Sequence, residues 1–138
     1  YNDTTATTPV ATIAALRALS DPPYQGEALI GGGGEKNIVL IMGGADKGIG
    51  MSEFIAEVSK YCKGIIVLPG TGTDKIREMI QRLNPQFVSS LDEAFRNALE
   101  VAKKGNTILL SPAFSSFGLF KNEFDRGEQF NQLVKALK

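Results

Sequence analysis

The 138-residue chain contains no histidine and only one cysteine, Cys62. Without imidazole it lacks the commonest zinc ligand and the commonest general base, so metal-hydrolase and Ser-His-Asp chemistries have no parts to work with. One cysteine cannot build a disulfide framework. Cys62 follows Tyr61 at the end of an amphipathic segment and reads as a half-buried structural thiol, not a nucleophile. No apolar run approaches the about 18 residues of a membrane span, and no basic region followed by an apolar one opens the chain. A membrane partner is not expected, and the expected location is the cytoplasm. Fifteen Lys and Arg balance fifteen Asp and Glu, leaving no net field to attract nucleic acid. An initiator methionine is missing too, so the chain reads as a segment of something longer.

What the sequence does contain is an alternation of short apolar runs and helical stripes. Thr8 and Pro9 form an N-cap and first-turn pair opening a helix to about Leu19. Residues 20–36 hold Pro22, Pro23 and four consecutive glycines, a linker composition. Ile38 to Met42 reads as a buried strand. Met51, Phe54, Ile55, Val58 and Tyr61 make a helical stripe, and a second strand covers residues 65–68. Ile76, Met79, Ile80 and Leu83 form another stripe, and Phe87 and Val88 a short third strand. Ser90 and Glu93 have capping-box spacing before a helix carrying Leu91, Ala94, Phe95, Ala98, Leu99 and Ala102. A fourth strand over residues 106–110 precedes a helix with Phe130, Leu133, Val134 and Leu137 at i, i+3, i+4 and i+7. All these stripes are expected to be core. The pattern predicts one α/β domain of 138 residues, Rossmann-like, with a mostly parallel sheet covered by helices on both faces. Its strand-end loops, residues 43–50, 69–73, 89–90 and 111–121, should share one edge.

Two partial nucleotide motifs lie in those loops. Gly43 and Gly48 have P-loop glycine spacing, but Ile49 and Gly50 stand where Lys and Ser/Thr must reach phosphate and magnesium. Gly70 and Gly72 supply two glycines of a dinucleotide fingerprint, with Lys75 in place of the third. A tight strand-to-helix turn explains them better. Any ATP phosphates must therefore be held mainly by another domain. The densest signal is residues 111–127, SPAFSSFGLFKNEFDRG, which join the fourth strand to the last helix through hydroxyl side chains and a basic-acidic cluster. Loops at that edge present hydroxyls, backbone N–H groups and helix N-termini to anions.

The same segment resembles the closing motif of the Mur ligases. Residues 1–13 (YNDTTATTPVATI) and 41–48 (IMGGADKG) are similar to two further stretches of that family, in the same order, so the resemblance spans nearly the whole chain. It is closest to the C-terminal domain of members that add D-glutamate to UDP-N-acetylmuramoyl-L-alanine during peptidoglycan precursor synthesis. The resemblance implies an ATP-dependent amide-forming ligase, with ATP phosphates and Mg held by a central domain absent here. It also implies closure over an acyl phosphate, excluding water while the amine attacks. This chain alone would then be inactive.

Residue by residue, the resemblance assigns Asp3 to the ATP ribose, where two carboxylate oxygens suit two hydroxyl donors. It assigns Thr7, Lys47, Ser116 and Phe117 to D-glutamate: Lys47 as a cation for one carboxylate, and Ser116 and Phe117 as a hydroxyl and a backbone N–H for the other. Each has a plainer alternative. Asp3 beside Asn2 is a common turn residue, Thr7 a neighbour of an N-cap, Lys47 an exposed loop lysine, and Ser115 and Ser116 loop residues. Two departures bear on the amino acid. Thr5 stands at a family lysine position, and Glu123 with Phe124 reverses the family's Phe-Glu order. Two other classes stay open: a ligase of the same family adding a different amino acid, including a folylpolyglutamate-type enzyme, and a non-catalytic Rossmann-like binding domain.

Overall fold

The computed structural model describes residues 1–20, 36–45, 51–116 and 118–137. The tetraglycine linker, Lys47 and Phe117 lie outside the described residues. Four strands, β1 (Ile38–Met42), β2 (Cys62–Val67), β3 (Gln86–Phe87) and β4 (Thr107–Leu110), form one sheet in the order β3-β2-β1-β4. All three pairings are parallel. Among the described residues five α-helices accompany them: α1 (Pro9–Ser20), α2 (Ser52–Tyr61), α3 (Thr71–Ile76), α4 (Leu91–Val101) and α5 (Glu123–Lys135). The expected α/β architecture is present, parallel throughout the described sheet.

A parallel sheet buried on both faces needs unbroken apolar strands, and β1, IVLIM, is buried at all five positions. Period-two alternation divides it between two cores. Ile38, Leu40 and Met42 pack with Ile13 and Leu16 of α1 and with Phe54, Ile55 and Val58 of α2. On the other face, Val39 and Ile41 meet Leu91, Ala94, Phe95 and Ala98 of α4 and Phe130 of α5. Phe95 and Phe130 meet edge to face, with ring centroids 5.6 Å apart, a favoured geometry for an aromatic pair. The helices thus cover both faces.

Several boundaries differ from the sequence reading. β2 begins at Cys62, directly after α2, so the thiol is fully buried and not half-buried, and desolvation pushes its pKa up to about 12. The thiolate is therefore absent at neutral pH, consistent with a structural role. The stripe Ile76, Met79, Ile80 and Leu83 is not one helix. α3 stops at Ile76, and the chain tightens into a 3-10 turn over Gln81–Leu83, ending on Asn84 in the left-handed region (φ 53°). Ile76 and Ile80 are buried while Met79 is exposed. The stripe on α5 is also only partly core: Phe130 is buried, whereas Val134 and Leu137 are exposed, as is Leu99 of α4.

The cap of α4 differs in one detail. The Ser90 hydroxyl accepts the Glu93 N–H at 3.1 Å, as capping-box spacing predicts. The Glu93 carboxylate, however, reaches one residue further back, accepting from the Ser89 N–H (2.8 Å) and hydroxyl (2.7 Å). α5 repeats the device: the Asn122 side chain accepts the Asp125 N–H at 2.8 Å, and Asp125 accepts the Lys121 N–H at 3.1 Å. That backbone bond, with a further one from the Gln129 side chain, holds the Asp125 carboxyl below its usual range. Both caps fix the loop before the helix as well as the helix itself.

Candidate functional site

The strand order reverses between β1 and β4, since β2 and β3 lie on one side of β1 and β4 on the other. Loops leaving two such strands diverge and open a crevice at the carboxyl edge, the usual ligand position in this class of sheet. Four segments meet there: residues 43–45, 69–73, 111–116 and the opening residues 1–7. The Gly43 N–H donates to the Pro112 carbonyl (2.9 Å), and Ala45 and Ser115 exchange two backbone bonds (3.1 and 3.3 Å). The Ala113 N–H donates to the Ala6 carbonyl (2.9 Å), and the Asp3 N–H to the Leu110 carbonyl (2.7 Å). The opening segment is therefore stitched along the end of β4.

Close approach of these loops explains the glycines. Gly44 (φ +151°) and Gly70 (φ +155°) have backbones that side-chain-bearing residues rarely adopt. A Cβ on Gly44 would run into the Ser115 carbonyl, one on Gly70 into the Gly44 carbonyl, and one on Gly72 into the Phe114 ring. The Gly44 carbonyl in turn accepts the Gly72 N–H at 2.8 Å. Gly70 and Gly72 thus pack β-loops together, which accords with the tight-turn reading and not with a dinucleotide fingerprint.

Asp3 is half-buried, and among the described residues its side chain bonds across the fold and not within the local turn. The turn belongs to Asn2, whose Oδ1 accepts the Thr4 N–H at 3.2 Å. Asp3 Oδ2 instead accepts the Ser111 hydroxyl at 2.7 Å, across 108 residues of sequence. Thr12 steadies Ser111 from α1 by donating to its carbonyl at 3.1 Å. The Asp3 carboxylate is thus fixed through one oxygen at the end of β4. Thr7 follows Ala6, which is bonded to Ala113, and its own N–H donates to the Thr5 carbonyl at 2.9 Å. Ser116 is buried beside Gly43, Gly44, Ser115 and Arg126 in a narrow cleft. The structure thus gathers Asp3, Thr7 and Ser116 on one edge, while Lys47 and Phe117 lie outside the described residues.

Sequence reasoning missed Ser111 and Arg126. Ser111 was available only as the residue ending an apolar strand at the ligand edge. Arg126 lies four residues before Phe130, on the core side of the α5 stripe, and a charged residue in that register was the available signal. Its guanidinium is fully buried. Burial pulls its pKa down to about 10, which leaves it charged at neutral pH. Among the described residues it faces no carboxylate within salt-bridge distance.

The parallel sheet covered by helices on both faces defines an α/β domain of the Rossmann-like class. The family model described as "Mur ligase, glutamate ligase domain" matches residues 1–114, and the chain belongs to that family. It is 36% identical over 98% of its length to a UDP-N-acetylmuramoylalanine--D-glutamate ligase of Roseiflexus sp.. Proteins of the same name from Caldanaerobacter subterraneus and Pseudomonas fluorescens are 37% and 38% identical over 100% and 99% of the chain. The chain spans 27–28% of the length of these relatives. No described helix is long and apolar enough to cross a membrane.

Proposed function

We propose that this chain is the C-terminal closing domain of a cytoplasmic, ATP-dependent ligase that joins D-glutamate to UDP-N-acetylmuramoyl-L-alanine in peptidoglycan precursor synthesis. The observation that carries the reading is the Asp3 carboxylate, anchored by Ser111 at the end of β4, beside the switch point of the sheet. Asp3 receives the ribose hydroxyls of ATP. Thr7, Lys47, Ser116 and the Phe117 N–H hold the two carboxylates of D-glutamate, leaving its amine to attack the activated substrate. The chain's contribution is positioning, charge neutralisation and exclusion of water.

The donor set limits what this chain does with magnesium. Among the described residues no three His, Cys, Asp or Glu side chains cluster as a metal site, and the glycine loop lacks the P-loop Lys and Ser/Thr. Phosphates and magnesium are assigned to the rest of the ligase; bound there, the ion would supply charge neutralisation for phosphoryl transfer.

Asp3→Ala in the intact ligase is expected to raise KM for ATP about 10- to 100-fold, since hydrogen bonds to a charged acceptor contribute roughly 1.5–3 kcal/mol. Ser111→Ala keeps the carboxylate but releases its anchor, and should raise the same constant about fivefold, with KM for D-glutamate moving much less. Steady-state kinetics with each substrate varied in turn checks both. An unchanged ATP dependence with a lowered melting temperature would make Asp3 a structural residue and remove the main support for this assignment.

A further inference from the structure

α5 holds the opening segment through several bonds. The Asn2 amide donates to the Gly127 carbonyl (3.0 Å) and to Asn131 Oδ1 (2.9 Å), and the Thr4 hydroxyl donates to the Glu123 carbonyl (2.7 Å). Gly127 permits this approach, because a Cβ there would meet Thr4 Cγ2 at 2.5 Å. Arg126 adds a third partner. Its Nε donates to Thr4 Oγ1 (3.0 Å) and Nη2 to the Thr4 carbonyl (2.7 Å), while Nη1 donates to the Phe114 carbonyl (3.2 Å). One rigid guanidinium thus spans two segments. Thr4 directly follows Asp3 and precedes Thr7 by three residues; Phe114 precedes Ser116 by two.

We propose that Arg126 is a positioning residue that locks the ribose-facing loop and the amino-acid-facing loop into one rigid wall, through Thr4 and Phe114. The proposal rests on the ligase reading above for what each loop faces. A fully buried cation is costly to desolvate without a counter-charge, and a hydrophobic side chain on the same helical face would serve packing alone. A planar fork with fixed donor directions serves a different purpose: it reaches carbonyls of two loops at once, which a lysine's single ammonium on a flexible stem does not reproduce. The consequence is a coupling between subsites. Disturbing Arg126 disturbs ATP and D-glutamate together, unlike Asp3 or Lys47, each of which addresses one substrate.

The test uses Arg126→Lys, which keeps the charge and removes the fork, and the gentler Thr4→Val, which removes the Oγ1 bonds to Arg126 and to the Glu123 carbonyl and keeps the Thr4 carbonyl. In the intact protein Arg126→Lys is expected to raise KM for ATP and for D-glutamate each about tenfold, with kcat changing less than about threefold. Thr4→Val should move both constants in the same direction by about threefold, which keeps the test decisive if the arginine variant fails to fold. Amide hydrogen exchange provides a readout independent of activity: residues 3–7 and 111–116 should both exchange about tenfold faster in Arg126→Lys, with β1 unchanged. A lowered melting temperature with both KM values and both loops' exchange unaltered, or a change in only one loop, would overturn the proposal. Failure of the wild-type protein to ligate D-glutamate would instead remove the ligase reading, and the exchange arm would still judge Arg126.

Discussion

Gly70→Ala should lower stability by about 3 kcal/mol or more, roughly 10 °C in melting temperature for a domain of this size. Two costs combine. The backbone at Gly70 (φ +155°) lies where an alanine is strained, and its Cβ would run directly into the Gly44 carbonyl, which is backbone and cannot rotate away. The Gly44 carbonyl also accepts the Gly72 N–H, so its displacement breaks the junction between the loops after β1 and β2. Gly105→Ala is the control. Gly105 also has a positive φ (+92°), but nothing lies within 4 Å of a Cβ there. Only the backbone term remains, about 1 kcal/mol. Thermal unfolding of the two variants beside the wild type checks the contrast, and equal shifts would mean that loop contact contributes nothing beyond backbone strain.

Lys47→Ala is expected to weaken apparent affinity for D-glutamate 10- to 100-fold in the intact ligase, while leaving KM for ATP nearly unchanged. A dicarboxylate at a strand edge needs a compensating cation, and Lys47 stands in the glycine loop directly after the buried strand β1. Each tenfold corresponds to about 1.4 kcal/mol. The resemblance sets Thr5 at a family lysine position, so the proposed site would have one cation fewer and place more weight on Lys47. Lys121 is the competing cation. It is exposed at the foot of α5, with its N–H engaged by Asp125. Titration of both substrates against Lys47→Ala and Lys121→Ala decides between them: an equal loss for ATP would make Lys47 a phosphate ligand, and no loss for any amino acid would make it a solvated loop residue.

The elements that the sequence made legible are those whose pattern has one physical meaning. β1 is an unbroken apolar run and appears with the bounds Ile38–Met42, because a central parallel strand is apolar on both faces. Thr8 with Pro9 and Ser90 with Glu93 mark helix starts because their side chains meet orphan N–H groups; the Thr8 hydroxyl accepts the Ala11 N–H at 3.4 Å. Ambiguity enters where one spacing serves two structures. Ile76, Ile80 and Leu83 suit an α-helix or an α-turn tightening to 3-10, and only the short path to β3 selects the latter. On α5, apolar spacing alone does not tell how far the covering layer extends, and Val134 and Leu137 fall beyond it.

The candidate site was reached in a different way. Asp3, Thr7 and Ser116 were reached through resemblance, and the structure brings them to one edge by strand pairing of the opening residues with β4. What local sequence did not carry was the support beneath them. The Asp3–Ser111 bond crosses 108 residues, and the Arg126 bonds to Thr4 cross 122. Such contacts depend on topology, so no short spacing encodes them. The displaced caps at Glu93 and Asp125 illustrate the same limit at shorter range: cap spacing identifies the helix start, while the choice of the Ser89 or Lys121 N–H as donor to the carboxylate depends on how the preceding loop is held.

The most direct measurement is a ligation assay on a protein carrying this chain together with the remaining length of its relatives. It would be supplied with UDP-N-acetylmuramoyl-L-alanine, ATP and Mg, and tested against D-glutamate, L-glutamate and a basic amino acid, with the amide product read by mass and ADP release followed in parallel. Amide formation with D-glutamate at one ADP per product is expected, with little product from either competitor. Preference for another amino acid, or ADP release without amide formation when D-glutamate is saturating, would contradict it.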